Sequence, residues 1–193
     1  MIRKLAITVF AFLIAVPAFP DVREAPTRQV YPALHLMSNN EFALFLRRLD
    51  TGVLRWKVQL SHVDVRSLSL DRHEGEELER GYNLCLQSLD NTREEIQKLS
   101  QKQTLQLDFL LLVDLNDLAR NLDGFNRDLA NVTAGGSPTA QKSLGYAREV
   151  LGIDTALAPH IAEFQHHILA FAGVIDATLD EADRNADQSP AQN

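Results

Sequence analysis

The first strong pattern along the chain is a stripe of apolar residues at helical spacing. Between Phe42 and Val63, apolar side chains recur every three or four positions apart from one adjacent pair, which places them on one helix face. The preceding segment Ser38-Asn39-Asn40-Glu41 matches a capping box. The pattern predicts a first helix of about 28 residues. Its stripe consists of Phe42, Phe45, Leu46, Leu49, Val53, Trp56, Leu60 and Val63.

A β-hairpin is the alternative for residues 53–70. Apolar and polar residues alternate between Leu54 and Leu60, and Thr51-Gly52 could end a helix, which together are typical of a strand. The three-four stripe nevertheless runs unbroken through Gly52, and a lone hairpin would have no sheet to join. We therefore favour a helix here.

A second helix is indicated by a heptad pattern after Asp71. Asp71 is a suitable N-cap, and Glu74 follows three residues later. Apolar and small residues then alternate spacings of four and three over three heptads, a pattern that packs against a neighbouring helix at a shallow angle. The seam is Leu78, Tyr82, Cys85, Leu89, Thr92, Ile96 and Leu99.

The polar segment Ser100–Gln103 breaks this seam and is either a connection or part of one very long helix. A helix over residues 71–132 would be ~90 Å long, more than one small domain covers, so we expect a connection. The third helix that follows has the stripe Leu107, Leu111, Leu115, Leu118, Leu122, Phe125, Leu129 and Val132.

The last helical region follows the loop Ala134–Pro138 and runs to about residue 184. Gly152 and Pro159 should kink it or divide it in two. Four such stripes with short connections predict an all-α fold, an antiparallel up-down-up-down four-helix bundle with coiled-coil-like packing. The final stripe is Leu157, Ile161, Phe164, Ile168, Phe171, Ile175 and Leu179.

The N-terminus has the three-part layout of a secretory signal. Arg3 and Lys4 precede the 12-residue run Leu5–Val16, and Val16-Pro17-Ala18 is suited to cleavage. The run is short for a membrane span, which needs ~20 residues. We therefore expect export to a periplasmic or extracellular location, with a bacterial source favoured. The predicted organisation is a signal peptide (1–18), an extended lead-in (19–38), a helical bundle (39–184) and a disordered tail (185–193).

Charge and cysteine content narrow the functional classes. Residues 1–18 contain two basic and no acidic residues, so cleavage takes the formal net charge from −7 to −9. This charge opposes nucleic-acid binding and adsorption to anionic lipids, and no other apolar run is long enough to insert in a membrane. Cys85 is the only cysteine, so no intramolecular disulfide can form. Its place on the heptad seam predicts a buried, unreactive thiol.

The strongest candidate for chemistry is the trio His160, Glu163 and His167, whose spacing of three and four could place all of them around one metal ion. These residues are weak metal candidates, because a di-iron bundle needs a second Glu-x-x-His motif and none is found. The alternative is that the histidines lie at the edge of the apolar stripe with exposed heads. No catalytic set and no cofactor motif is apparent, so we expect no cofactor and no enzymatic activity.

A surplus of apolar residues favours a binding function. Each helix of a simple bundle buries one stripe, whereas the third helix has four apolar residues off its stripe and the first helix has three. We therefore expect an exported binding or interaction module of the cell envelope, as a homodimer or with an envelope protein. One alternative is that the N-terminal lead-in covers these surplus apolar residues. The other is that the protein is a metal- or small-ligand-binding bundle. The candidate surface is Leu105, Phe109, Leu112 and Val113, with Leu54, Val58 and Val65.

Overall fold

The computed structural model describes residues 36–68, 70–132 and 138–187, and these ranges contain helices and no strands. The predicted signal peptide, the lead-in up to residue 35 and residues 188–193 lie outside the described residues. The elements are α1 (Asn39–Ser61), a short 3₁₀ helix (Val65–Ser67), α2 (Arg72–Gln101), α3 (Leu105–Asn131) and α4 (Pro138–Asp187).

Helix α1 confirms the helical interpretation of residues 53–61 over the hairpin. It begins with the predicted capping box, since Ser38 accepts from the backbone N–H of Glu41 and Glu41 accepts from that of Ser38. It is 23 residues long and ends at Ser61, before the last member of its stripe. Val63 is buried all the same, which explains why the apolar pattern overestimated the length of the helix.

Helices α2 and α3 are separate, as predicted. Asp71 caps α2 by accepting from the backbone N–H of Glu74, and α2 ends at Gln101. Only residues 102–104 lie between the two helices, and Thr104 caps α3 by accepting from the backbone N–H of Leu107. The polar break in the heptad seam is therefore a connection.

Helix α4 is continuous over 50 residues, so the predicted division into two helices is wrong. Pro159 lies inside it and removes one backbone hydrogen bond, yet the apolar stripe on both sides still packs on the other helices. The alternative of a kink stays a prediction. The helix also includes residues 185–187, which the sequence assigned to the tail.

The four helices pack on one another around one core. Helix α1 contacts α2 and α4, and α3 contacts α2 and α4, which closes the ring. The all-α fold of four packed helices is thus confirmed. No helix among the described residues is both long and apolar enough to cross a membrane. The largest side chains under 2% exposed are Phe45, Phe125, Phe164, Leu49, Leu60, Leu89, Leu111, Leu115, Leu118, Leu122, Leu129 and Ile153.

Candidate functional site

The end of α4 carries an apolar face that the other described helices do not bury. Ile168 is the last buried residue of α4 among those whose side chains are described. Beyond it, Val174 is 49% and Leu179 is 55% exposed, and Phe171 and Ile175 are half-buried. At ~100° per residue these four side chains lie within an arc of about 140°. We call Phe171, Val174, Ile175 and Leu179 the α4 terminal surface.

This surface continues the face of α4 that forms the core. At ~100° per residue, Ile175 and Leu179 lie on the same side of the helix as Leu157 and Phe164. Leu157 and Phe164 are fully buried, whereas Leu179 is mostly exposed. The apolar pattern therefore runs past the end of the packed core.

The length of α4 explains why the core ends there. At ~1.5 Å per residue, α4 is about 75 Å long and α3 about 40 Å. The backbone N–H of Met37 donates to Nδ1 of His167 at 3.1 Å, which places the start of the first helix level with residue 167. Residues 169–187 extend beyond that level, and none of their described side chains is buried.

The surface predicted from sequence is only partly exposed. Leu112 is 4% exposed and belongs to the core, and Val65 is buried as well, so neither can contribute to a docking surface. Leu105 and Phe109 are half-buried, and Val113 is 54% exposed. On the first helix, Leu54 and Val58 are exposed.

The residues His160, Glu163 and His167 have separate partners. His167 is 2% exposed and its ring stacks on Phe42 at 5.0 Å between centroids, so the expectation of an exposed head is wrong for this residue. Glu163 forms an ion pair with Arg48, whose Nη2 lies 2.6 Å from Oε1. These contacts join α4 to α1.

His160 lies at the edge of the same aromatic cluster. Its ring meets Trp56 edge-on at 5.8 Å, and its Nδ1 is buried without a hydrogen-bond partner. Burial lowers its pKa, with Arg48 acting in the same direction and Glu163 against it. Within residues 36–68, 70–132 and 138–187, no group of three or more metal-ligating side chains is placed to hold an ion. The metal site therefore has no structural support beyond the spacing in the sequence.

A groove of about 460 Å³ lies between α1 and α4. Arg47, Arg48 and Arg55 line it from α1, and Ala156 and His160 line it from α4. Its remaining walls are Leu44, Thr51, Gly52 and Trp56.

Gly52 has a steric role in this groove. A Cβ placed on Gly52 would come within 3.2 Å of the indole ring of Trp56. The glycine therefore allows the indole to lie against the backbone of α1.

A buried carboxyl group that the sequence analysis did not single out lies in the first turns of α3. Asp108 is 1% exposed, and neither oxygen accepts a hydrogen bond of normal geometry. Burial raises the pKa of Asp108 to about 6, and the nearby Gln103 side chain counters only part of this shift. The sequence pattern could have indicated this, since Asp108 lies next to the stripe residue Leu107 and three residues before Leu111.

Cys85 is fully buried in the core, as its place on the heptad seam predicts. Burial raises the pKa of its thiol to about 12. The thiolate is the reactive form of cysteine, so this side chain acts as an apolar core residue and not as a nucleophile.

Comparison with known proteins adds no functional analogy. The chain matches no family model, and no significant similarity is found to curated proteins or to solved structures. The function of the chain is therefore inferred from the surfaces described above.

Proposed function

We propose that the chain is an exported, non-enzymatic binding protein of the cell envelope that binds a partner protein through the α4 terminal surface. The observation that carries this proposal is the continuation of a core-forming stripe into solvent, where Leu179 is 55% exposed. An apolar helix face of this kind is stabilised when a second surface covers it.

An antiparallel up-down-up-down arrangement is part of the proposal. Three residues between α2 and α3 are enough for a sharp reversal and too few for a crossover along the bundle. Helices that are adjacent in the chain pack together, and the first also packs on the last, as this topology requires. The end of α4 would then extend from the end of the bundle where the first helix begins.

The charge near the α4 terminal surface favours a basic partner protein over a second copy of the chain. Residues 176–187 contain five acidic residues and one basic residue by sequence. Two copies of this segment would therefore repel each other if they docked side by side. A protein with an apolar groove bordered by basic side chains fits the surface better than a second copy does.

Export is tested by the mass of the protein made from the full gene in its source cell. We expect the envelope fraction to contain a chain that begins at residue 19, which intact mass spectrometry measures directly. A protein that retains residues 1–18 and stays in the cytoplasm would contradict the proposed location.

Partner binding is tested in two steps, first by cross-linking from the α4 terminal surface and then by substitution of its two exposed residues, Val174 and Leu179. A photoreactive amino acid at position 174 should cross-link one envelope protein in the source cell, and the same group at position 151 should not. The captured protein, once purified, should bind residues 19–193. Val174→Ser with Leu179→Ser should weaken that binding at least about tenfold, since full burial of a Val or Leu side chain is worth roughly 1.5–3 kcal/mol.

The matched control is Leu144→Ser with Leu151→Ser, which changes two exposed apolar residues on the same helix. This pair should leave the affinity within about twofold, as surface positions outside an interface do. Cross-linking of the chain to itself from position 174 would show that a second copy covers the surface. A surface that binds an apolar dye only after deletion of residues 19–35 would show that the lead-in covers it, and either result overturns the proposal.

A further inference from the structure

The groove between α1 and α4 concentrates positive charge on an acidic protein. Three arginines line it, and the formal net charge of the whole chain is −7. Arg48 is paired with Glu163, whereas Arg47 and Arg55 form no ion pair within the residues that the structure describes. Two guanidinium groups therefore remain to bind an anion.

The arginines of the groove lie along two turns of α1. Arg48 and Arg55 are seven residues apart on the same side of the helix, whereas Arg47 and Arg55 are eight residues apart, ~12 Å along the axis and about 80° around it. Arg47 precedes Arg48 and borders the same groove. Guanidinium groups bind phosphate and carboxylate through paired hydrogen bonds, which favours these anions over a simple halide.

The other walls favour an anion with an apolar body. Leu44 and Ala156 are exposed and apolar, and Trp56, which is 3% exposed, also lines the groove. His160 adds a half-buried imidazole whose pKa is lowered by burial. The volume of about 460 Å³ is that of a small-molecule site.

We infer that this groove binds a small organic anion, with a phosphate or carboxylate group held by Arg47 and Arg55 and an apolar group against Leu44 and Trp56. This site is separate from the α4 terminal surface and does not depend on the proposed function. The groove gives the small-ligand alternative a defined location, and His160 is the member of the predicted metal trio that lines it.

The test is calorimetric titration of residues 19–193 with phenyl phosphate, phenylacetate and inorganic phosphate at constant ionic strength. We expect saturable one-to-one binding of phenyl phosphate or phenylacetate, and the tighter of the two identifies the preferred anionic group. Inorganic phosphate should bind at least about threefold more weakly than phenyl phosphate, because it leaves the apolar wall uncovered. The only tryptophan of the chain borders the groove, so its emission should change with the same midpoint.

Two pairs of matched variants locate the binding. Arg47→Gln with Arg55→Gln should weaken binding at least about tenfold, since each removes a charge-assisted contact. Arg120→Gln with Arg127→Gln removes the same charge from exposed positions on α3 and should change the affinity less than about twofold. Ala156→Glu should also abolish binding by placing a carboxylate in the groove, whereas Ala130→Glu on α3 should not.

Circular dichroism and thermal melting establish that each variant is folded, and Ala156→Glu tests the site without changing any arginine. Absence of saturable binding for both phenyl phosphate and phenylacetate would overturn the inference. Equal losses in the two arginine pairs would also overturn it, because binding would then follow net charge and not this groove.

Discussion

Leu157→Ala should lower the free energy of unfolding by about 2–5 kcal/mol, the range for a leucine removed from a close-packed core. Leu157 is fully buried on the face of α4 that packs in the bundle. Leu179→Ala makes the same chemical change on the same face of the same helix, where the side chain is 55% exposed. It should change stability by less than about 0.5 kcal/mol, because little apolar area is returned to water.

Urea unfolding of residues 19–193, followed by circular dichroism, measures both values. A cost of more than about 2 kcal/mol for Leu179→Ala would show that the end of α4 is buried in the isolated protein. The α4 terminal surface would then be part of the core of the protein or of a dimer. The two variants therefore measure how much each leucine contributes to the free energy of unfolding, and they test whether the α4 terminal surface is exposed in solution.

Asp108→Asn should stabilise the protein at pH 8 by about 2–3 kcal/mol, because one pKa unit corresponds to ~1.4 kcal/mol. The carboxyl group has a pKa of about 6 in the folded chain against its ordinary 3.8. Between these values the folded state binds more protons than the unfolded state. The stability of the unmodified protein should therefore fall as pH rises from about 4 to about 6 and stay lower above that range.

The Asp108→Asn variant has a neutral side chain of nearly the same volume and should not show this fall. Its advantage should shrink as the pH is lowered toward 4, where the native carboxyl group is protonated in the folded state. Asp128→Asn removes an exposed charge from the same helix and should leave the pH dependence unchanged. Parallel pH profiles for the unmodified protein and Asp108→Asn would mean that Asp108 is hydrated or paired in solution.

The helices could be predicted from sequence because their signals are local. Ser38 and Asp71 are caps with side chains that reach their own first turns, and the three-four stripes select one face of each helix. The predicted first helix extends to Val63, whereas α1 ends at Ser61. Val63 is buried in the segment that follows the helix. Of the two predicted effects of Gly152 and Pro159, a kink or a division, the division is wrong because α4 is continuous from Pro138 to Asp187.

The candidate sites depend on how helices are placed next to one another, and a stripe does not contain that information. Arg47 and Arg55 lie off the stripe of α1, which predicts exposed side chains. These two arginines line a groove only because α4 lies alongside α1 and contributes Ala156 and His160 to the other side. His167 lies at the stripe edge, yet the chain around Met37 covers it.

The sequence pattern predicts a single apolar stripe that continues to Leu179 at the end of α4. Periodicity identifies which face is apolar, but it does not show where the neighbouring helices stop. Ile175 and Leu179 lie on the same face of α4 as Leu157 and Phe164. The first pair is less buried because the neighbouring helices end before it. The exposed surface is therefore a consequence of unequal helix lengths.

The most direct test of the exposed α4 terminal surface is hydrogen exchange of residues 19–193, followed by mass spectrometry. An isolated helical segment of this length is marginally stable in water, so peptides from residues 169–187 should exchange much faster than those from 143–168. Light scattering on the same sample should show a monomer. Equal protection of the two segments would contradict the account, since the end of α4 would then already be covered before any partner binds.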